Sequence, residues 1–285
     1  MASPGLISHR VSARNDAEQS ENKIHDDAVA RQYGFRGGLV PGVTVYGFLT
    51  WLPASAWGEE WLSRGGMAAR FVKPVYAGDE VTVSAEPDGD DTDRLRVTAT
   101  NQLGEVCATG SAWRPGAAPP GVVAPDAASF DIGALSRATA PVPAPADRPP
   151  ADEHTLAAGT MLGSVSRTFD ATDRATYLDQ LGDDLPLYDR LGVAHPGSLI
   201  RAANEVLSRT VRLGPWIHVS SESTHYAVVP DGSVVTTYGR VVDRYDRKGH
   251  QFVDLDVLSA VGGEPVLSVR HTAIYAPRQS GSRVS

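Results

Sequence analysis

Residues 39–52 read LVPGVTVYGFLTWL, and the fold turns on what this run is. Pro41-Gly42 is a helix-opening pair, because proline is pre-set for a first helical turn. From Val43 to Leu52 the side chains are apolar on nearly every side: Val43, Val45, Tyr46, Phe48, Leu49, Trp51 and Leu52. A helix of that kind is buried all round. Residues 194–207, AHPGSLIRAANEVL, repeat the plan with Gly197 against Gly42. There Leu199, Ala203, Val206 and Thr210 make one apolar face, while Arg201, Glu205 and Arg212 point elsewhere.

Two more pairs follow in the same order. ARFVKPVYAGDEVTV (69–83) matches THYAVVPDGSVVTTY (224–238), with Gly78 against Gly232, and GEVCATGSAWRP (104–115) matches GEPVLSVRHTAIYAP (263–277). Three ordered anchors, each offset by about 155 residues, imply a duplicated domain. Between the copies the chain turns rich in Ala and Pro, a composition that reads as a semi-rigid connector. The organisation is therefore an N-terminal unit at 1–115, a connector at 116–152 and a C-terminal unit at 153–285. SFDIGALS, inside the connector, reads as a short helix or a docked segment. Each unit runs from a first strand through a short helix to the long Pro-Gly-led helix. Strands follow, marked by alternation at Val81, Val83 and Ala85 and at Leu95, Val97 and Ala99. A helix packed along an antiparallel sheet is an α+β arrangement.

Composition narrows the function. The chain has 285 residues and a formal charge of −8, with Lys and Arg scattered, which argues against a nucleic-acid surface. Its lone cysteine, Cys107, sits in a strand-like run and reads as a small core residue. No intrachain disulfide can form, which fits a cytoplasmic protein. The opening MASPGLISHR does not read as a signal peptide. No apolar run approaches the roughly 18 residues of a membrane span, so no membrane partner is expected.

Residues 20–42, SENKIHDDAVARQYGFRGGLVPG, carry the chemistry. Together with Phe71-Val-Lys-Pro74-Val75 and Gly78-Asp79 they resemble the hotdog-fold superfamily, in particular its MaoC-like hydratase and dehydratase branch. The resemblance covers residues 22–115 well, and the second half fits as a degenerate repeat. The whole thus resembles a double hotdog, two antiparallel sheets each wrapped around a long central helix. One chain would reproduce the dimer that single hotdogs form, and a further homodimer is left open. The resemblance implies a small-molecule acyl thioester carried on coenzyme A or an acyl carrier protein, with no cofactor beyond that carrier. It also places the thioester carbonyl at the start of the long helix. The first amides of a helix lack internal partners and carry partial positive charge, so they suit a developing oxyanion. By motif match the donor is the backbone N–H of Gly42 or Val43, and glycine lets a ligand come close.

The hydratase pattern is Asp-x-Asn-Pro-hydrophobic-His. Asn22, Ile24 and His25 fall on its Asn, hydrophobic and His positions, Lys23 replaces the Pro, and Ser20 stands where the Asp belongs. Serine cannot take a proton from water near neutral pH, so the two-group acid–base arrangement is incomplete. Thioester hydrolysis therefore ranks first. It would use Asn22 and His25 to hold the water and His25 as base, whose ordinary pKa of about 6.5 suits the task. Hydration of an enoyl thioester ranks second, with a carboxylate such as Asp26 or Asp27 completing the pair. A non-catalytic thioester-binding or assembly subunit ranks third. Asn22 also suits the N-cap of a helix over 23–33. Val43, Thr44 and Tyr46 in the first turns of the long helix are candidate substrate contacts, as is Tyr33 beside the Gly34-Phe35 turn. His195 either lines a second, degenerate pocket or packs where the halves meet. His218, His225, His250 and His271 lie in strand-like or turn segments without metal-ligand spacing and read as structural, and no metal is expected.

Overall fold

The computed structural model describes residues 6–279; Gly5, the first residue of the expected opening strand GLISHRVSA (5–13), lies outside them. The first copy comprises β1 (Ile7–Ser12), a 3-10 turn (Lys23–His25), α1 (Asp27–Gln32), α2 (Gly42–Arg64), β2 (Gly66–Phe71), β3 (Glu80–Asp88), β4 (Asp91–Thr100) and β5 (Val106–Trp113). The connector holds α3 (Ile132–Ala138). The second copy comprises β6 (Val165–Phe169), α4 (Ala171–Leu181), α5 (Leu187–Leu191), α6 (Pro196–Thr210), β7 (Ile217–His225), β8 (Ser233–Arg247), β9 (His250–Val261) and β10 (Glu264–Ala276).

The strands form one ten-stranded sheet in the order β1-β3-β4-β5-β2-β7-β10-β9-β8-β6. Read inward from either edge the order is the same, so the repeat seen in the sequence is a repeat of topology. The two half-sheets join where β2 pairs antiparallel with β7, Gly66 opposite Thr224 through Arg70 opposite Ser220. Gly78 and Gly232 open β3 and β8 from equivalent left-handed turns, at φ 82° and 83°, a conformation that favours glycine.

Alternation sets the faces. Val83 lies opposite Ala99 and Ala85 opposite Val97, and all four are buried under α2 with Cys107. As expected of its all-round apolar sequence, α2 buries Val43 to Thr50 without interruption. It crosses α6 closely, since a Cβ on Gly197 would lie 3.2 Å from the Cα of Gly47. The expected helix over 23–33 is instead two pieces. Asn22 caps the 3-10 turn by accepting from Ile24 N, and Asp26 starts α1 afresh by accepting from Val29 N. The connector is docked. Pro125 O accepts from Ser268 Oγ at 2.5 Å, Ala127 N donates to Tyr226 Oη at 3.0 Å, and Arg148 pairs with Glu21 at 2.5 Å. No helix among the described residues is long and apolar enough to cross a membrane.

Candidate active site

The start of α2 opens onto a cavity of about 320 Å³ at the junction of the two copies. The first copy contributes Asn22, His25, Gly42 and Val45, and the second contributes Asn204, Trp216, His218 and Phe252. Most of the wall is apolar. Arg70, Lys73, Arg247 and Lys248 add four cations, and no Asp or Glu lines it. Lys73 pairs with Glu105, whereas Arg70, Arg247 and Lys248 have no ion pair among the described residues. A polar cleft of about 580 Å³ lies on the other side of Asn22, His25, Pro41, Asn204 and Trp216, and Asp16, Ser20, Val43 and Arg201 line it.

The orientation of His25 follows from its partners. Its Nδ1 lies 2.7 Å from Leu39 O, a carbonyl that can only accept, so Nδ1 carries the proton. Nε2 is then an acceptor and takes a long bond, 3.3 Å, from Asn22 Nδ2. Burial lowers the pKa of His25, against the opposing pull of the Leu39 bond and the charge of Asp16. The result is a neutral imidazole on the cavity wall whose acceptor nitrogen is held only by that long bond, suited to accept a proton.

Asn22 has a different job from the one its motif position suggests. Its Nδ2 also donates to Trp216 O at 3.0 Å, and its Oδ1 accepts from Trp216 N at 3.1 Å and from Ile24 N at 3.3 Å. Both donors and both acceptor sites are filled, so Asn22 orients His25 and fastens the two copies together instead of holding water. Asn22→Ala should lower stability by about 1–3 kcal/mol, because the Trp216 backbone loses its partners; equal urea midpoints for both proteins would refute this.

The helix start has the predicted form. No side chain caps α2, and Gly42 is needed sterically, since an added Cβ would meet His218 Nδ1 at 2.9 Å. The corresponding start of α6 is closed. His195 is its N-cap, and its Nδ1 accepts from Gly197 N at 3.0 Å. A Cβ on Gly197 would lie 2.4 Å from Tyr177 Oη. His195 Nε2 reaches Thr50 Oγ1 at 3.1 Å and Asp183 Oδ2 at 3.3 Å, with Tyr188 packed against the ring. Of the two readings for His195, packing where the halves meet describes it best, and only a pocket of about 100 Å³ remains beside it.

The other candidate contacts lie off the cavity. Val43 faces the polar cleft, the Thr44 hydroxyl is buried without a partner, and Tyr46 Oη bonds to Ser223 Oγ at 2.7 Å in the core. Tyr33 ends α1 and packs with Ile24 and Leu39. Helix geometry explains the difference: residues three apart share a face, so Gly42 and Val45 look into the cavity while Val43, Thr44 and Tyr46 do not. The carboxylates near the motif are also engaged elsewhere. Asp26 caps α1, Asp27 accepts from Gly38 N, and the Ser20 hydroxyl donates to Asn22 O.

His218, read from the sequence as structural, lines the cavity. A β-bulge puts it there: His271 faces Ser221, Thr272 faces Ser220, and Ala273 faces His218, leaving Val219 as the extra residue. The bulge turns His218 onto the same face as Ser221 and Ser223, which simple alternation would deny it.

No protein-family model matches the chain, and no curated protein does. Solved structures do. A MaoC domain protein from Chloroflexus aurantiacus is similar at TM-score 0.65 and 14% identity, over 98% of this chain and 96% of that one. A protein from Mycobacterium tuberculosis described as a double hotdog is similar at TM-score 0.64 and 18% identity, over 96% of each chain. The dehydratase domain of PpsC from Mycobacterium tuberculosis, solved in complex with C12:1-CoA, is similar at TM-score 0.54 and 12% identity, over 96% of this chain and 94% of that one.

Proposed function

From the premise that the chain is a double hotdog, we propose that it is an enzyme that directs water onto an acyl thioester. The observation that carries this reading is one cavity holding both an uncapped helix start at Gly42 and His25, whose acceptor nitrogen is engaged only by the long bond from Asn22. The amides of Gly42 and Val43 take the thioester carbonyl oxygen, where they stabilise negative charge as it develops. His25 Nε2 takes the proton of the attacking water. The apolar wall of Phe35, Leu39, Phe71 and Ile274 suits an acyl chain. The cations Arg70, Arg247 and Lys248 suit a phosphate-bearing carrier, coenzyme A or the phosphopantetheine arm of a carrier protein. On a chain of formal charge −8, a cavity lined by cations and no carboxylate is a local inversion of the overall charge.

His25 and the helix amides alone suffice for hydrolysis, the reaction ranked first from Ser20. A second proton-transfer group would favour addition to an enoyl thioester. Incubation with saturated and enoyl coenzyme A esters separates the cases: thiol release reports hydrolysis, and loss of enoyl absorbance without thiol reports addition. Neither signal across a broad panel, with ligand still bound, would leave a binding role and end the enzymatic reading.

A further inference from the structure

The helix start at Gly42 lies on a boundary between two spaces. Thr44 N and Val45 N both donate to Pro41 O, at 2.9 and 3.1 Å, which leaves the amides of Gly42 and Val43 for a carbonyl oxygen. Gly42 lines the apolar cavity and Val43 lines the polar cleft. Asn22, His25, Pro41, Asn204 and Trp216 line both, so one wall divides them. A thioester carbonyl carries two arms, the carrier through sulfur and the acyl group through carbon. The cations Arg70, Arg247 and Lys248 mark the cavity as the carrier's side. The cleft, about 580 Å³, is then the space beyond the carbonyl. Its walls suit an anion better than an alkyl chain. Four arginines line it, and covering them with hydrocarbon would strip their hydration without return. Its three acids are each matched: Asp16 by Arg201 at 2.9 Å, Glu21 by Arg148 at 2.5 Å and Glu205 by Arg209 at 3.6 Å. The fourth arginine, Arg212, has no ion pair among the described residues. The docked connector fixes its place. Arg212 N donates to Pro149 O at 2.7 Å and Ala151 N to Arg212 O at 3.1 Å, so Arg212 is pinned beside the segment that carries Arg148. A spare guanidinium is a planar fork that fits the two oxygens of a carboxylate.

Resting on the reading above, we propose that the cleft is the acyl-group site and that the preferred substrates are monothioesters of dicarboxylic acids, with Arg212 binding the distal carboxylate. The carbonyl sits at Gly42 and Val43 beside His25, and the acyl group crosses the shared wall so that its charged end reaches Arg212. The carboxylate supplies the counter-charge that the cleft lacks, as the carrier's phosphates do in the cavity. Anions at both ends of the substrate thus fix the direction in which it lies. A plain acyl chain has no such partner in the cleft and must share the cavity's apolar wall with the carrier's arm. The inference applies equally to hydrolysis and to addition, since it concerns the far end of the acyl group and not the reacting carbons.

The test compares coenzyme A monothioesters of succinic, glutaric and adipic acids with butyryl, pentanoyl and hexanoyl esters of equal carbon number. Each is supplied in saturated and 2-enoyl form, and its consumption is followed by chromatography with the uncatalysed rate subtracted. At one length or more the dicarboxylic ester should exceed its plain counterpart by at least ~10-fold in kcat/KM, the worth of a charge-assisted bond. Arg212→Gln should raise KM for that ester by a similar factor and bring the ratio of the two esters close to one. The Arg212 side chain is exposed and unpaired, so the fold does not depend on it. Arg212→Lys, which keeps the charge, should restore part of the preference. Plain esters used as well as dicarboxylic ones at every length, or wild-type preference in Arg212→Gln, would overturn the cleft as the acyl site and leave the thioester reading standing. A wild-type protein inert toward both series would overturn both.

Discussion

Replacing His25 with alanine should cut kcat/KM by ~10²–10⁴-fold, the usual contribution of a positioned general acid or base. The fold should survive. His25 makes one strong bond, to Leu39 O at 2.7 Å, and losing a bond of that kind costs about 1 kcal/mol. The wild-type pH profile should bear the same signature. As a base His25 must be neutral, and burial lowers its pKa. The acid limb of kcat/KM should therefore lie below the ordinary histidine value of about 6.5, with activity held as the pH falls through 6.5. Steady-state rates across pH 5–8 check this. A limb above 6.5, or a His25→Ala enzyme with normal turnover, would remove His25 from the chemistry.

Acid should destabilise this protein more than its carboxylates alone would require. His225 and His271 are buried, and burial lowers their pKa values to about 4 and about 3. The folded chain thus keeps both neutral at a pH where the unfolded chain, at about 6.5, takes up protons. Stability depends on this difference in bound protons. It is fully present above about pH 6.5 and falls as the pH drops toward the folded-state values. At pH 5 each imidazole costs about 2 kcal/mol, so the pair should cost on the order of 4 kcal/mol. Urea midpoints at pH 7.5 and pH 5 measure it, and equal midpoints would show that these imidazoles are not held neutral by the fold.

The architecture was legible because it rests on repetition. Gly42 with Gly197 and Gly78 with Gly232 mark equivalent backbone positions, and a helix start or a left-handed turn is a local property that a sequence displays. His25 and the opening at Gly42 were legible for the same reason, being a motif and a helix start. What stayed hidden was produced by geometry between distant segments. Asn22 is occupied by the backbone of Trp216, far along the chain. His218 faces the cavity through a bulge that alternation cannot reveal. Thr44 and Tyr46 were chosen for being early in the helix, when the face set by Gly42 and Val45 was the relevant property.

The pairing of β2 with β7 has a consequence for assays at low enzyme concentration. His25 comes from one copy and His218 from the other, so the site exists only while the two copies stay together. Two separate subunits would fall apart on dilution and lose specific activity. Here a covalent tether keeps the partners at a high effective concentration. Turnover per molecule should stay constant down to nanomolar protein, and it should become dilution-sensitive only if the chain is cut within the connector.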